Sequence, residues 1–183
     1  EFNTSLGYSS LLKRIDVLDG DQYRAALKTY NQTSGDFGDN VDALDEILRE
    51  GFTQNYNIAI SGGNENGKYR ASAGYLSQDG IIKESGFKKY SASLTSSFKF
   101  TESKKLGLDF NLLTSSSVTQ IAPISNDAGF QGSLIGTALQ WNPTHPLRKP
   151  NDSIWIVDPA LGNTTINPLA LLAAHSDQTT VNT

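Results

Sequence analysis

Residues 90–100 read YSASLTSSFKF, and the class of fold can be predicted from their pattern. Every second residue from Tyr90 to Phe100 is apolar or small, and the residues between them are Ser, Thr or Lys. Successive side chains of a β-strand point to opposite faces of the sheet. A period of two therefore predicts a strand with one apolar and one polar face.

The same alternation extends to both sides of this stretch. It predicts strands over residues 2–8, 56–61, 68–75 and 105–112, so that the chain is expected to be all-β with about five strands. The large side chains of the apolar rows are Tyr56, Ile58, Ile60, Tyr69, Tyr75, Leu94, Phe98, Leu108 and Phe110.

Charged residues test this assignment of the two rows. Lys68, Arg70, Lys99, Lys105 and Asp109 all fall in the polar rows. Because a slip of one residue would move every side chain of a strand to the other face, this consistent placement indicates one face from which charge is excluded.

The composition excludes a bundle of membrane-spanning helices. Hydrophobic residues are 37% of the 183 residues, the mean hydropathy is −0.36, and no run approaches the ~20 apolar residues that a spanning helix needs. A β-barrel passes this test, because only every second residue of its strands meets lipid.

Charge and residue usage also exclude several functions. The net charge of −4 comes without a basic face, so no nucleic-acid partner is expected. The chain has no Cys, and His145 and His175 have no carboxylate or second His at ligand spacing. No metal, cofactor or catalytic site is expected, and the charges offer no matched carboxylate pair for a hydrolase.

The connections between the strands alternate in length. Residues 62–67 and 101–104 are short polar turns, residues 79–89 are intermediate, and residues 11–53 and those after 115 are long. Short turns at one end and long loops at the other are typical of outer-membrane barrels, in which the long loops lie outside the cell.

Short helices are predicted within the long connections. Asp19 begins the first in a capping box, and a second is predicted over residues 41–50. Later helices are predicted over residues 130–141 and over residues 169–174, the last with Asn167 as its cap.

Several segments resemble the SusC/RagA family of TonB-dependent outer-membrane transporters of Bacteroidetes. The matching segments are DVLDGDQYR at 16–24, NYNIAISGG at 55–63, KYRASAGYLSQDGIIK at 68–83, FKKY at 87–90 and NPLALL at 167–172. The resemblance implies a large antiparallel transmembrane β-barrel of about 22 strands, filled by a plug and driven through TonB. Such a barrel lies in the bacterial outer membrane and imports glycans or peptides captured with a SusD-like surface lipoprotein.

On this resemblance the chain is a segment of such a barrel, with long extracellular loops that carry short helices. We expect residues 1–114 to form the first five transmembrane strands with their connections, and residues 115–183 to form a long extracellular loop. The plug and the TonB box are expected outside this sequence. The implied partners are the remainder of the barrel, its plug, the SusD-like lipoprotein, TonB and outer-membrane lipid.

The resemblance also assigns the two rows of side chains. The apolar row would face lipid, and Lys68, Arg70, Lys99 and Asp109 would face the lumen, where pairing with the plug is the simplest role for them.

Two tryptophans are candidates for ligand binding. Trp141 and Trp155 lie in the long loop and could stack on a sugar ring, although packing of the loop on itself is the more common role of such residues. The acidic cluster in the first long connection is interpreted as a solvated face, because its spacing does not match a calcium loop. Its members are Asp36, Asp39, Asp42, Asp45, Glu46 and Glu50.

A soluble glycan-binding β-sandwich is the alternative. In a sandwich the same apolar row would pack against a second sheet instead of lipid. Burial of Ile58, Leu94, Leu108 and Phe110 inside a globule would therefore contradict the barrel interpretation.

Overall fold

The computed structural model describes residues 1–100, 106–122, 133–151, 153–154, 166–174 and 177–183. It contains one six-stranded antiparallel sheet whose strands are neighbours in chain order. The strands are β1 (Phe2–Ser9), β2 (Gly51–Gly63), β3 (Gly67–Asp79), β4 (Gly86–Lys99), β5 (Gly107–Ile121) and β6 (Asp177–Asn182). The helices are α1 (Gly20–Thr29), α2 (Ala43–Ile47), α3 (Leu134–Gln140) and α4 (Pro168–Ala174).

All five expected strands are present, and a sixth joins them. The central strands have 13 to 15 residues, longer than the alternation alone predicted. The segment 115–183, expected to be a loop, contains the end of β5 and all of β6. The sequence of β6, DQTTVN, has one apolar residue and no alternating pattern. Its pairing with β5 is what identifies it as a strand.

The strand register defines two faces. Directly opposed residues of antiparallel strands point to the same side of a sheet. Tyr56 lies opposite Tyr75, and Tyr75 lies opposite Tyr90. All nine large side chains of the apolar rows share this face, here called the apolar face. Lys68, Arg70, Lys99 and Asp109 lie on the opposite side, here called the polar face.

The helices α2, α3 and α4 pack on one another, and all three lie in the long connections. In the described part of the chain, the backbone of each of these helices lies close to the backbones of the other two and not to that of a strand. Their core contains Ile47 and Leu134, which are fully buried, with Trp141 beside them. None of the helices in the described ranges is long and apolar enough to cross a membrane.

The helix boundaries follow local chemistry. The capping box of α1 is confirmed, because Asp19 Oδ1 accepts a bond from Gln22 N at 2.8 Å and Gln22 Oε1 accepts one from Asp19 N at 3.2 Å. Asn167 caps α4 by accepting a 2.8 Å bond from Leu169 N. The helix predicted over 130–141 is shorter in the structure and begins at Leu134, and residues 130–132 lie outside the described part.

The second helix is also shorter than the prediction of residues 41–50. α2 ends at Ile47, and Leu48 is extended because it bridges to Ile82 in the β3–β4 connection. Arg49 N donates to Ile81 O at 2.8 Å. A tertiary strand-like pairing therefore overrides the local helical pattern.

No second sheet covers the apolar face in the part of the chain that the structure describes. Ile58 and Leu108 are each 53% exposed and Phe110 is 46% exposed, while Leu94 is half-buried. The sandwich alternative is therefore not supported.

The β2–β3 turn depends on a glycine, which gives a test of the register. Gly63 has φ +154°, and a Cβ placed on it would lie 2.7 Å from Lys68 Cα and would also overlap Gly67 O. Because the overlap is with backbone, Gly63→Ala should lower the free energy of unfolding by about 1–3 kcal/mol. Urea unfolding of the intact protein measures the change.

Gly7→Ala is the matched control for this substitution. A Cβ at Gly7 meets only Thr53 Cβ at 3.8 Å, an ordinary contact, so this change should not destabilise the sheet. Equal losses in the two variants would contradict the turn geometry described above.

Candidate functional site

The centre of the apolar face is uncharged and uncovered. Ile60, Ala71, Leu94 and Leu112 lie side by side across β2 to β5. The neighbouring row contains Ile58, Ala73, Ala92 and Thr114. Among the described residues of the sheet, the charged positions on this face are Asp79 and Lys88, both near the end that carries the long connections.

A row of tyrosines separates this apolar centre from those two charges. Tyr75 stacks on Tyr56 with ring centroids 6.4 Å apart and contacts Tyr90 at 5.0 Å. Asp79 and Lys88 lie beyond this row, on the side of the long connections. An amphipathic aromatic row between apolar and charged surface is what a protein places at a membrane interface.

A second aromatic row lies near the short turns. The Tyr69 ring covers Gly62 on the neighbouring strand, and the Phe98 ring covers Gly67 in the same way. Aromatic rings over cross-strand glycines cover backbone that would otherwise be exposed and help to fix the register.

The distance between the two aromatic rows suits a membrane. Phe98 follows Tyr90 by eight residues, which is about 26 Å along a strand. A strand tilt of about 40° reduces the separation to roughly 20 Å, close to the ~25 Å height of the apolar band on outer-membrane barrels.

The polar face has small hydroxyl and amide side chains with few charges. Ser72 and Ser93 are hydrogen-bonded at 2.7 Å, and Thr95 donates to Asn111 at 3.2 Å. Lys68, Ser97 and Asp109 lie in one row across three strands, and Lys99 lies opposite Gly107. These groups can hydrogen-bond a hydrated polar solute or an opposing protein surface.

Sequence reasoning missed two features of the polar face. Arg70 forms an exposed ion pair with Glu1, at 3.3 Å between Nη2 and Oε2, and the pairing of β2 with both β1 and β3 brings these residues together. Leu113 is 74% exposed on this face. It lies one residue beyond the strand predicted over residues 105–112.

Trp141 is buried in the helical core. It is 4% exposed, its Nε1 donates to His145 O at 2.9 Å, and its ring meets the His145 ring edge-on at 5.5 Å. It also lines a groove of about 620 Å³ beside α1 and α3. Packing therefore describes this tryptophan better than an exposed platform for sugar stacking, and Trp155 lies outside the described residues.

Three acidic residues near the helices, Asp36, Asp42 and Asp45, pair with arginine, and Asp42 also caps a helix. Asp42 caps α2 and contacts Arg14 Nη2. Arg14 Nη1 lies 3.5 Å from Asp45 Oδ1. A bond from Gly38 N, together with the Arg24 guanidinium at 3.1 Å, holds the pKa of Asp36 below its usual value. Among the described residues, no group of three or more His, Asp or Glu side chains could hold a metal ion.

No protein-family model matches the chain, but curated relatives do. The TonB-dependent receptor SusC of Bacteroides thetaiotaomicron is 33% identical over 154 residues, which is 82% of this chain and 15% of that receptor. The TonB-dependent receptors P3 and P26 of Formosa agariphila are each 28% identical, over 97% and 76% of this chain and 18% and 13% of the receptors.

The chain therefore spans less than a fifth of the length of these relatives. The identity extends over most of this chain, and the single antiparallel sheet agrees with a segment of a barrel wall. These relatives support the identification of this chain as a fragment of a SusC-like TonB-dependent receptor, and such receptors are outer-membrane proteins of Gram-negative bacteria.

Proposed function

We propose that this chain supplies six neighbouring wall strands of a SusC-type importer, with the apolar face against lipid and the polar face toward the lumen. The observation that carries this proposal is the uncharged, uncovered surface between two aromatic rows. In water such a surface would be an aggregation hazard, whereas acyl chains cover it without loss of hydrogen bonds.

The unpaired edges of the sheet are evidence for a larger assembly. β1 and β6 are the edge strands, and an open edge in hydrocarbon leaves each unsatisfied backbone group at a cost of several kcal/mol. The remaining strands of the barrel are the partners that satisfy these groups. The plug would contact the charges of the polar face, and TonB would act on the receptor through the plug.

The cargo that this proposal favours is a glycan or a peptide, captured with a SusD-like surface lipoprotein. The name SusC on one relative supports the lipoprotein partner. The hydroxyl and amide side chains along the polar face support a hydrated cargo that carries little charge. The helices would then lie at the extracellular end, where the cargo first meets the receptor.

A charge on each face in turn tests the orientation of the wall. Leu94 lies four residues from both Tyr90 and Phe98 on the apolar face, and Thr95 is its neighbour on the polar face. Leu94→Lys should disfavour insertion by about 2–4 kcal/mol, because a lysine at the bilayer midplane loses its hydration. Thr95→Lys should insert normally, since its ammonium group faces the water of the lumen.

The measurement is the amount of heat-modifiable, folded receptor in the outer membrane of cells that express each variant at equal levels. The two variants carry the same net charge and are compared at equal expression, so they differ only in the face that carries the lysine. If Thr95→Lys lost more folded receptor than Leu94→Lys, the proposed orientation would be reversed.

Deletion of the gene tests the import function. Cells without the receptor should lose growth on one glycan or peptide source and keep growth on a monosaccharide, and the wild-type and Thr95→Lys receptors should restore it. A tagged receptor should co-purify with a surface lipoprotein. Unchanged growth on every glycan and peptide of a broad panel would contradict an importer of these nutrients.

A further inference from the structure

Residues 142–145 join two connections that are far apart in the sequence. These four residues lie in the β5–β6 connection, and they bind the β1–β2 connection through its backbone. Val41 N donates to Pro143 O at 2.7 Å, and Asp39 N donates to Thr144 O at 2.9 Å. The residues of each pair are more than 100 positions apart, so tertiary packing alone brings them together.

Side chains reinforce this junction. Asn142 Nδ2 donates to Gly35 O at 2.8 Å, and Thr144 Oγ1 accepts a bond from Phe37 N at 3.1 Å. Asn142 Oδ1 also accepts bonds from the backbone and the hydroxyl of Thr144, at 2.9 and 2.8 Å. Thr144 is fully buried, so loosening the junction would leave buried polar groups without partners.

The β3–β4 connection is attached to the same structure. Lys83 N donates to Ile47 O at 2.9 Å, at the end of α2. The Arg49 guanidinium donates to Gly80 O at 3.0 Å and to Ser85 O at 2.7 Å. The β1–β2 connection is therefore bonded directly to both of the other connections at this end of the sheet.

A shared hydrophobic core completes the assembly. α2 belongs to the first connection, and α3 and α4 belong to the last, yet the three helices pack on one another. Ile82 of the middle connection packs against the same core. No single connection can leave without exposing part of this core to water.

We infer that the three connections form one cooperative unit, here called the cap, which opens as a single body and not loop by loop. The cap consists of the described residues of the β1–β2, β3–β4 and β5–β6 connections. In the importer proposed above, the extracellular opening of the barrel beside these six strands would widen only if the whole cap moved or unfolded. The inference itself rests on contacts between described residues and not on which face of the sheet meets lipid.

Hydrogen exchange on the purified full-length receptor in detergent tests this inference with Asn142→Ala. The substitution removes the bond to Gly35 and both bonds accepted from Thr144. These losses should raise the population of the open cap by about tenfold or more. If the cap is cooperative, amide exchange should accelerate by similar factors in residues 37–41, in α2 and in residues 81–83. The last segment makes no bond to Asn142.

Asn151→Ala is the matched control. Asn151 lies in the same connection, and its Oδ1 accepts bonds from Ser153 N at 3.2 Å and Ser153 Oγ at 2.7 Å, both of them local. This variant should leave exchange in α2 and residues 81–83 unchanged. If Asn142→Ala folds poorly, Thr144→Val takes its place. Thr144→Val keeps the side-chain volume and loses the hydroxyl bonds, and it should show the exchange pattern expected of Asn142→Ala.

Exchange that accelerates only in residues 35–41 would overturn the inference, because it would show loops that open separately. No change in both Asn142→Ala and Thr144→Val would also overturn it, because the junction would then contribute nothing to cap stability. Slow exchange of the β4 amides in each variant shows that the wall is intact, so failure of this test does not bear on the orientation proposed for the sheet.

Discussion

Strand register determines which side chains share a face of this sheet. The side chains of a strand alternate between its faces, so a slip of one residue on β3 would move Lys68 and Arg70 among the apolar side chains. The observed register instead aligns Tyr56, Tyr75 and Tyr90 in one row across three strands. A chain that must exclude charge from one face and pair every backbone group has few alternatives to this arrangement.

The two ends of the sheet meet different requirements. At the short turns, Gly63 lets the chain reverse tightly, and the Tyr69 and Phe98 rings cover neighbouring glycines. At the other end, the connections are long enough to form a core of their own around Ile47 and Leu134. The protein therefore combines a wall without an internal core and a compact helical unit that has one.

The sequence predicted the elements that have a local pattern. Alternation placed five strands, and side-chain caps placed the starts of α1 and α4 at Asp19 and Asn167. It could not predict β6, because that strand is specified by its pairing with β5 and not by its own alternation. For the same reason α2 was predicted too long, since Leu48 pairs with Ile82 across the fold. The burial of Trp141 likewise depends on helices that no local pattern brings together.

In the proposed orientation, the two faces of the sheet meet different solvents. A spin label placed in turn at each position of residues 91–96, in the full receptor reconstituted in lipid bilayers, tests it most directly. Oxygen, which partitions into lipid, should reach the even-numbered positions best, and a water-soluble nickel complex should reach the odd-numbered positions best. Equal access at both sets, or the opposite alternation, would contradict it.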